Sequence, residues 1–207
     1  MCQISRNSGM AMRFKDKNVL VTGSTRGIGK ACAHAFLAEG ARVAINGRTD
    51  ASVAATLGEF SEGAISAPGD VSTVDGCAAT VETAIASLGG LDILVNNAGI
   101  FRRGNIEVMP EADWDAIMNT NVKSVQFCTK FAIPALRSAK GVIVNVASES
   151  GLNGYPETTG YCASKGAVVN LTRSMAMELA PKIRVNALCP GVVDTDMSRE
   201  GFAVDGN

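Results

Sequence analysis

Short runs rich in β-branched residues alternate along this chain with longer runs of helical periodicity, and that alternation constrains the fold more than any other feature. The strand-like runs are Asn18–Thr22, Arg42–Asn46, Ala64–Ala67, Asp92–Asn96, Gly141–Val146 and Arg184–Leu188. Between them the patterning predicts helices over Gly27–Glu39, Asp50–Leu57, Ser72–Leu88, Glu111–Arg137 and Thr159–Ala180. Gly40 stands where a left-handed cap closes the first helix, and Ser72 with Asp75 resembles a capping box at the third. Several strands carry hydrophobics on successive positions, as strands covered on both faces do. Strand–helix–strand repetition demands right-handed crossovers, so the expected fold is α/β, a single-domain doubly wound parallel sheet with helices on both faces. Ligands bind such sheets beyond the carboxyl ends of the strands, where the winding reverses. The segments to search are therefore 23–29, 46–48, 70–71, 96–99, 147–148 and 189–195.

Composition removes several function classes. Nineteen basic residues against twenty acidic ones leave no cationic field for a phosphate backbone, so nucleic acid is not an expected partner. No stretch approaches the ~20 apolar residues of a membrane span. The six cysteines lack C-x-x-C spacing and His34 is the one histidine, so no metal site is expected. Reduced thiols in a cytoplasmic protein are the plainer reading of those cysteines, and His34 reads as structural. Residues 1–13 lack an apolar signal core and read as a disordered or vector-derived leader to a domain over 14–207; Met10 and Met12 are equally placed to be the natural start.

The loop Thr22-Gly23-Ser24-Thr25-Arg26-Gly27-Ile28-Gly29 follows the first strand and opens the first helix. Gly23 permits a sharp turn, Gly27 and Gly29 allow close backbone approach, and the helix start offers free N–H groups to a pyrophosphate. No G-K-[ST] follows, which excludes a Walker loop. The second strand ends Ile45-Asn46-Gly47-Arg48, without the acid that usually takes the ribose hydroxyls of NAD. Arg48 and Arg26 suit a 2′-phosphate, which favours NADP over NAD, although each arginine taken singly also reads as a solvated surface residue.

Tyr161 and Lys165, four residues apart on a predicted helix, project from one face. A phenol has a pKa of ~10, and a nearby ammonium supplies roughly the Coulomb energy needed to bring it into range for proton transfer. Ser148 lies just past the fifth strand, placed to polarise a carbonyl. Asn121 falls inside the long predicted helix, where a buried polar side chain needs a partner, such as a water linked to Lys165.

These residues carry a family resemblance. The chain resembles the short-chain dehydrogenases/reductases of the roughly 250-residue type, through T-G-x-x-x-G-I-G at Thr22–Gly29, Asp70-Val71, N-N-A-G at Asn96–Gly99, Asn121, Ser148, Y-x-x-x-K at Tyr161–Lys165 and P-G-x-x-x-T at Pro190–Thr195. The resemblance implies a Rossmann-type sheet and hydride transfer between a nicotinamide cofactor, NADP before NAD, and a ketone or secondary alcohol such as a sugar acid or 3-oxoacyl thioester. It implies Tyr161 as general acid/base, Lys165 as the group that depresses its pKa and holds the nicotinamide ribose, Ser148 on the carbonyl, and Asn121 at a water relay. It places Gly23, Ser24, Thr25, Arg26, Gly27, Ile28, Gly29 and Arg48 against the phosphates and adenosine ribose, and Asp70 and Val71 against the adenine. Asn97, Ala98 and Gly99 would lie near the nucleotide sugar, and Pro190, Gly191, Val193 and Thr195 near the nicotinamide amide. A homodimer through helices 111–137 and 159–180 is implied, with a tetramer as the further state, and the apolar face of the first helix (Ile117, Val125, Phe131) needs cover.

The pattern breaks after Thr195. The family continues with a substrate-covering loop, helices and a final strand, whereas here residues 201–207, resembling that final strand, follow Glu200 at once. A lid segment is thus missing between 200 and 201, either by internal deletion or as a mobile segment left out of the sequence, with the second favoured. The alternative function is a nucleotide-binding scaffold that lacks its lid and does not turn over.

Overall fold

Valine, leucine and isoleucine on successive positions bury both faces of a strand, and β1 (Asn18–Val21) shows it, with Val19, Leu20 and Val21 all fully buried. The structure, a computed structural model, describes residues 12–60 and 62–202. The strands β2 (Arg42–Ile45), β3 (Ala64–Ser66), β4 (Ile93–Asn96), β5 (Val142–Val146) and β6 (Arg184–Leu188) complete a six-stranded sheet. Its order is β3-β2-β1-β4-β5-β6 and every pairing is parallel. That is the doubly wound Rossmann arrangement, and winding reverses between β1 and β4. Each strand ends within a residue of the position that its sequence predicts.

The helices are α1 (Gly27–Ala38), α2 (Asp50–Leu57), α3 (Val74–Leu88), α4 (Glu111–Met118), α5 (Ser124–Ala139), α6 (Thr159–Leu179) and α7 (Asp196–Phe202). Gly40 at φ +89° does close α1. The cap of α3 is Thr73 rather than the Ser72–Asp75 pair, its hydroxyl accepting from Gly76 N at 3.0 Å. A true capping box sits instead at α2, between Thr49 and Ser52. The long predicted helix over 111–137 is broken into α4 and α5 by a π-helical turn at Asn119–Lys123.

Two cores flank the sheet. One packs Leu20, Leu94 and Ile143 against α3, α5 and α6; the other packs Val19, Val43, Ile45 and Val95 against α1 and α2. The second cover stops at β4, so β5 alternates, with Ile143 and Asn145 buried but Val142, Val144 and Val146 half-buried. In β6 only Val185 is buried. Coverage of every strand on both faces therefore does not extend to this half of the sheet. Ile117 and Val125 need no outside cover, because the fold itself buries them, and only Phe131 remains half-buried. His34 stacks on Phe60 with ring centroids 4.4 Å apart, a packing role.

Of the proposed leader, Met1–Ala11 lie outside the described residues, while Arg13 donates to the Glu39 carboxylate at 2.9 Å. Glu200 and Gly201 both fall within α7, and Gly201 and Phe202 are helical rather than strand. The remainder of that expected strand, 203–207, lies outside the described residues. Among the described residues no helix is long and apolar enough to cross a membrane.

A polar chain crosses the larger core. Asn96 Nδ2 donates to Thr129 Oγ1 at 3.1 Å and to Asn145 Oδ1 at 2.8 Å, and Asn145 Nδ2 donates to Thr172 Oγ1 at 2.9 Å. It ties α5 through β4 and β5 to α6. Asn145→Ala strands these partners in a closed interior, and the expected loss is about 2–4 kcal/mol in chemical denaturation.

Candidate active site

The loop after β1 is shaped by buried amide and hydroxyl groups. Gly23 adopts φ +61°, and a Cβ there would stand 2.9 Å from Ala98 Cα. A Cβ on Gly29 would stand 2.5 Å from Gly23 O and 2.4 Å from Asn97 Nδ2, so only glycine lets α1 pack this close. Asn46 Oδ1 accepts from Gly23 N at 3.0 Å, while its Nδ2 donates to Ala67 O at 3.0 Å and Gly69 O at 3.2 Å. Thr22 Oγ1 accepts from Asn97 N at 2.9 Å and Ala98 N at 3.0 Å. Neither role of Asn46 nor that of Thr22 is evident from spacing alone. Ser24 departs from its expected place against the phosphates: it is fully buried, donating to Val21 O at 2.7 Å and accepting from Asn46 N at 2.9 Å. Gly29 is likewise buried, a packing position rather than a cleft wall.

A cleft of about 1170 Å³ runs along the carboxyl ends of the strands. One end gathers Gly23, Thr25, Arg26, Gly27, Ile28, Arg48, Asp70 and Val71. Asn97, Ala98, Gly99, Ser148, Tyr161, Lys165, Pro190, Gly191, Val193 and Thr195 line the rest. The start of α1 has no side-chain cap and no acid in its first turn, which leaves its amides to an anion. Among the described residues Arg26 and Arg48 have no ion-pair partner. These features fit the phosphates of a dinucleotide.

At the other end α6 presents Tyr161 and, one turn on, Lys165. Lys165 is 4% exposed, and its Nζ donates to Val146 O at 2.9 Å. Burial pushes the ammonium down to about 8, with Cys189 acting weakly the other way. Nζ lies 5.7 Å from the Tyr161 ring centroid, and Phe101 meets the ring edge-on at 5.0 Å. The Tyr161 phenol is not depressed in this state: burial raises it above its ordinary value, hydrogen bonding with Ser148 opposes, and Cys162 adds to the rise.

Asn121 sits in the π-helical turn, 1% exposed. Its side chain is held by protein groups: Oδ1 accepts from Ile100 N at 2.8 Å, and Nδ2 donates to Ile100 O and Ser164 Oγ, both at 3.0 Å. Ser164 Oγ donates in turn to Tyr161 O at 2.7 Å. A Cβ on Gly99 would stand 3.3 Å from Asn121 Oδ1 and 3.5 Å from Lys165 Nζ, so Gly99 keeps the space between those groups open. A turn of π-helix at a functional position is a recurrent device, but sequence periodicity does not reveal it.

The outer wall is a clamp that spacing also leaves hidden. Gly104 N donates to Glu157 O at 2.8 Å, and Arg103 pairs with the Glu157 carboxylate. Glu157 holds φ +59°, a conformation that a side chain adopts only under constraint.

The sequence profile described as short chain dehydrogenase matches residues 17–204. The meso-2,3-butanediol dehydrogenase of Serratia marcescens is 40% identical over 189 residues, 90% of this chain and 75% of that protein. The 3-oxoacyl-[acyl-carrier-protein] reductase FabG of Chlamydia trachomatis is 37% identical, covering 89% of this chain and 77% of its own length. The structure of 3-ketoacyl-(acyl-carrier-protein) reductase from Brucella melitensis, complexed with NADH, superposes with a TM-score of 0.85 at 36% identity, over 89% of this chain and 79% of that one. With the same sheet, the same strand order expected of a nicotinamide binder and this identity along nearly its whole length, the chain belongs to the short-chain dehydrogenase family of oxidoreductases.

Proposed function

We propose that this protein is an NADP-dependent oxidoreductase acting on a ketone or secondary alcohol, and that Ser148, Tyr161 and Lys165 carry the proton chemistry. The observation that supports it is the convergence of these three side chains at one end of a cleft whose other end holds uncapped amides and two unpaired arginines. The cofactor, when bound, supplies or accepts the hydride. Gly23, Thr25, Gly27 and Ile28 would cradle its phosphates, Asp70 and Val71 its adenine, and Val193 and Thr195 its amide. Arg26 and Arg48 favour the 2′-phosphate, since Asn46, the residue at the end of β2, turns inward to hold the loop. Ser148 donates to the substrate oxygen, Tyr161 gives or takes its proton, and the Lys165 charge stabilises the phenolate. Asn121 positions the relay by fixing Ile100 and Ser164. The relatives named above act, by their names, on a diol and on acyl-carrier thioesters, so the carbonyl is the shared element. We place the protein in the cytoplasm, in keeping with its free thiols, and assemble it as a homodimer through α4–α5 and α6. Half-buried Phe127, Phe131 and Leu171 support that face.

NADPH is expected to bind more tightly than NADH, and Arg48→Ala should reduce that ratio about tenfold or more in fluorescence titration. Equal affinities in the parent protein overturn the cofactor assignment.

Tyr161→Phe is expected to lower kcat by about 10²–10⁴-fold in assays of carbonyl reduction following NADPH absorbance, with NADPH still bound. An active variant removes the phenol from the mechanism.

The kcat/KM for carbonyl reduction should be level below pH 7 and fall as pH rises through about 8, because Lys165 then loses its proton. A profile level to pH 10 contradicts a charged Lys165 in the free enzyme.

A further inference from the structure

Most charges along the substrate half of the cleft are paired. Arg103 is taken by Glu157, while Arg102 donates to Phe101 O at 3.1 Å and stands 3.8 Å from Asp113. Glu149 is the exception. Among the described residues nothing donates to its carboxylate, and no cation pairs with it. It directly follows Ser148, it is half-buried and it lines the cleft. Its backbone N donates to Pro190 O at 2.9 Å, which fixes the main chain there independently of the side chain. Its Oε2 lies 3.4 Å from where a Cβ on Gly191 would stand, so the carboxylate lies against the 190–195 turn on the side that follows Ser148 in the chain.

An ionised carboxylate offers acceptors only, and a half-buried one gains most from a donor that comes with the ligand. Ser148 engages the reacting oxygen, so a donor reaching Glu149 belongs on an adjacent carbon. We propose that Glu149 is a specificity-determining residue that accepts a hydrogen bond from a hydroxyl vicinal to the reacting carbonyl, which makes the substrates α-hydroxy ketones and vicinal diols. This rests on the oxidoreductase reading given above. The same carboxylate repels a substrate carrying its own anion at that carbon, so 2-oxo and 2-hydroxy acids are excluded, and a sugar acid qualifies only with its carboxylate elsewhere.

The test compares three ligands of similar size, 2,3-butanediol, 2-butanol and 2-hydroxybutyrate, titrated by ligand-detected NMR into the protein with and without NADP⁺. The diol is expected to bind about tenfold or more tightly than the mono-alcohol, as a hydrogen bond to a charged acceptor contributes. Glu149→Val should bring that ratio close to one. Glu149→Gln keeps an acceptor and removes the charge, so it should lower the diol preference to about threefold while raising the affinity for 2-hydroxybutyrate. A ratio that Glu149→Val leaves in place, or a 2-hydroxybutyrate affinity that Glu149→Gln does not raise, overturns the assignment. Binding is read without turnover. Glu149-dependent diol binding with no NADPH formed therefore sinks the redox reading and supports this one, whereas oxidation of diol and mono-alcohol with ratios indifferent to Glu149 sinks this one alone.

Discussion

Where β1 and β4 diverge, a parallel sheet leaves backbone amides and carbonyls that no strand can satisfy, and three short polar side chains satisfy them instead, two taking amides and one taking carbonyls. The Thr22 hydroxyl takes the amides of Asn97 and Ala98, Asn46 takes that of Gly23, and the Asn97 amide donates to Thr22 O at 2.9 Å and Gly23 O at 3.1 Å. An unpaired buried N–H costs about 1–3 kcal/mol, so these bonds hold the loops after β1, β2 and β4 in one arrangement. Ser24, sealed beneath the loop, belongs to this scaffold as well.

The reactive end rests on a different balance. A lysine that is 4% exposed stays useful only because Val146 O at the end of β5 accepts from it, and its charge is destabilised by the same burial that lets its field reach the phenol undiminished by water. The phenol also pays for burial, so its pKa rises in this state. The Tyr–Lys spacing by itself therefore does not depress the phenol in this state.

The fold was legible because strand burial on two faces writes itself as consecutive hydrophobics, and β1, β2 and β4 do so. In β5 and β6 the pattern differs, with Ile143 and Asn145 the buried positions of β5 and Val185 that of β6. Of the site, most motif residues line the cleft, while Ser24, Gly29 and Asn121 lie behind it. What stayed hidden depends on tertiary contact: the π-helical turn around Asn121, the engagement of its amide by Ile100 and Ser164, the inward turn of Asn46, and the Arg103–Glu157 clamp. No local periodicity encodes a partner sixty residues away. Ser24 shows the converse, a residue in a phosphate motif whose hydroxyl serves the strand next door.

Charge separates along the cleft in a way that orients whatever enters. Arg26 and Arg48 stand unpaired at one end and Glu149 stands unpaired at the other, with Lys165 buried between them. Under the function proposed above, a polyanionic cofactor is drawn by its phosphates to the arginines and the start of α1, so charge orients it in the groove. A neutral substrate would be aligned by contact instead, by the Ser148 hydroxyl and by Phe101, whose ring meets the edge of Tyr161. The two ligands would thus be sorted by different physics, long-range charge for the first and short-range fit for the second.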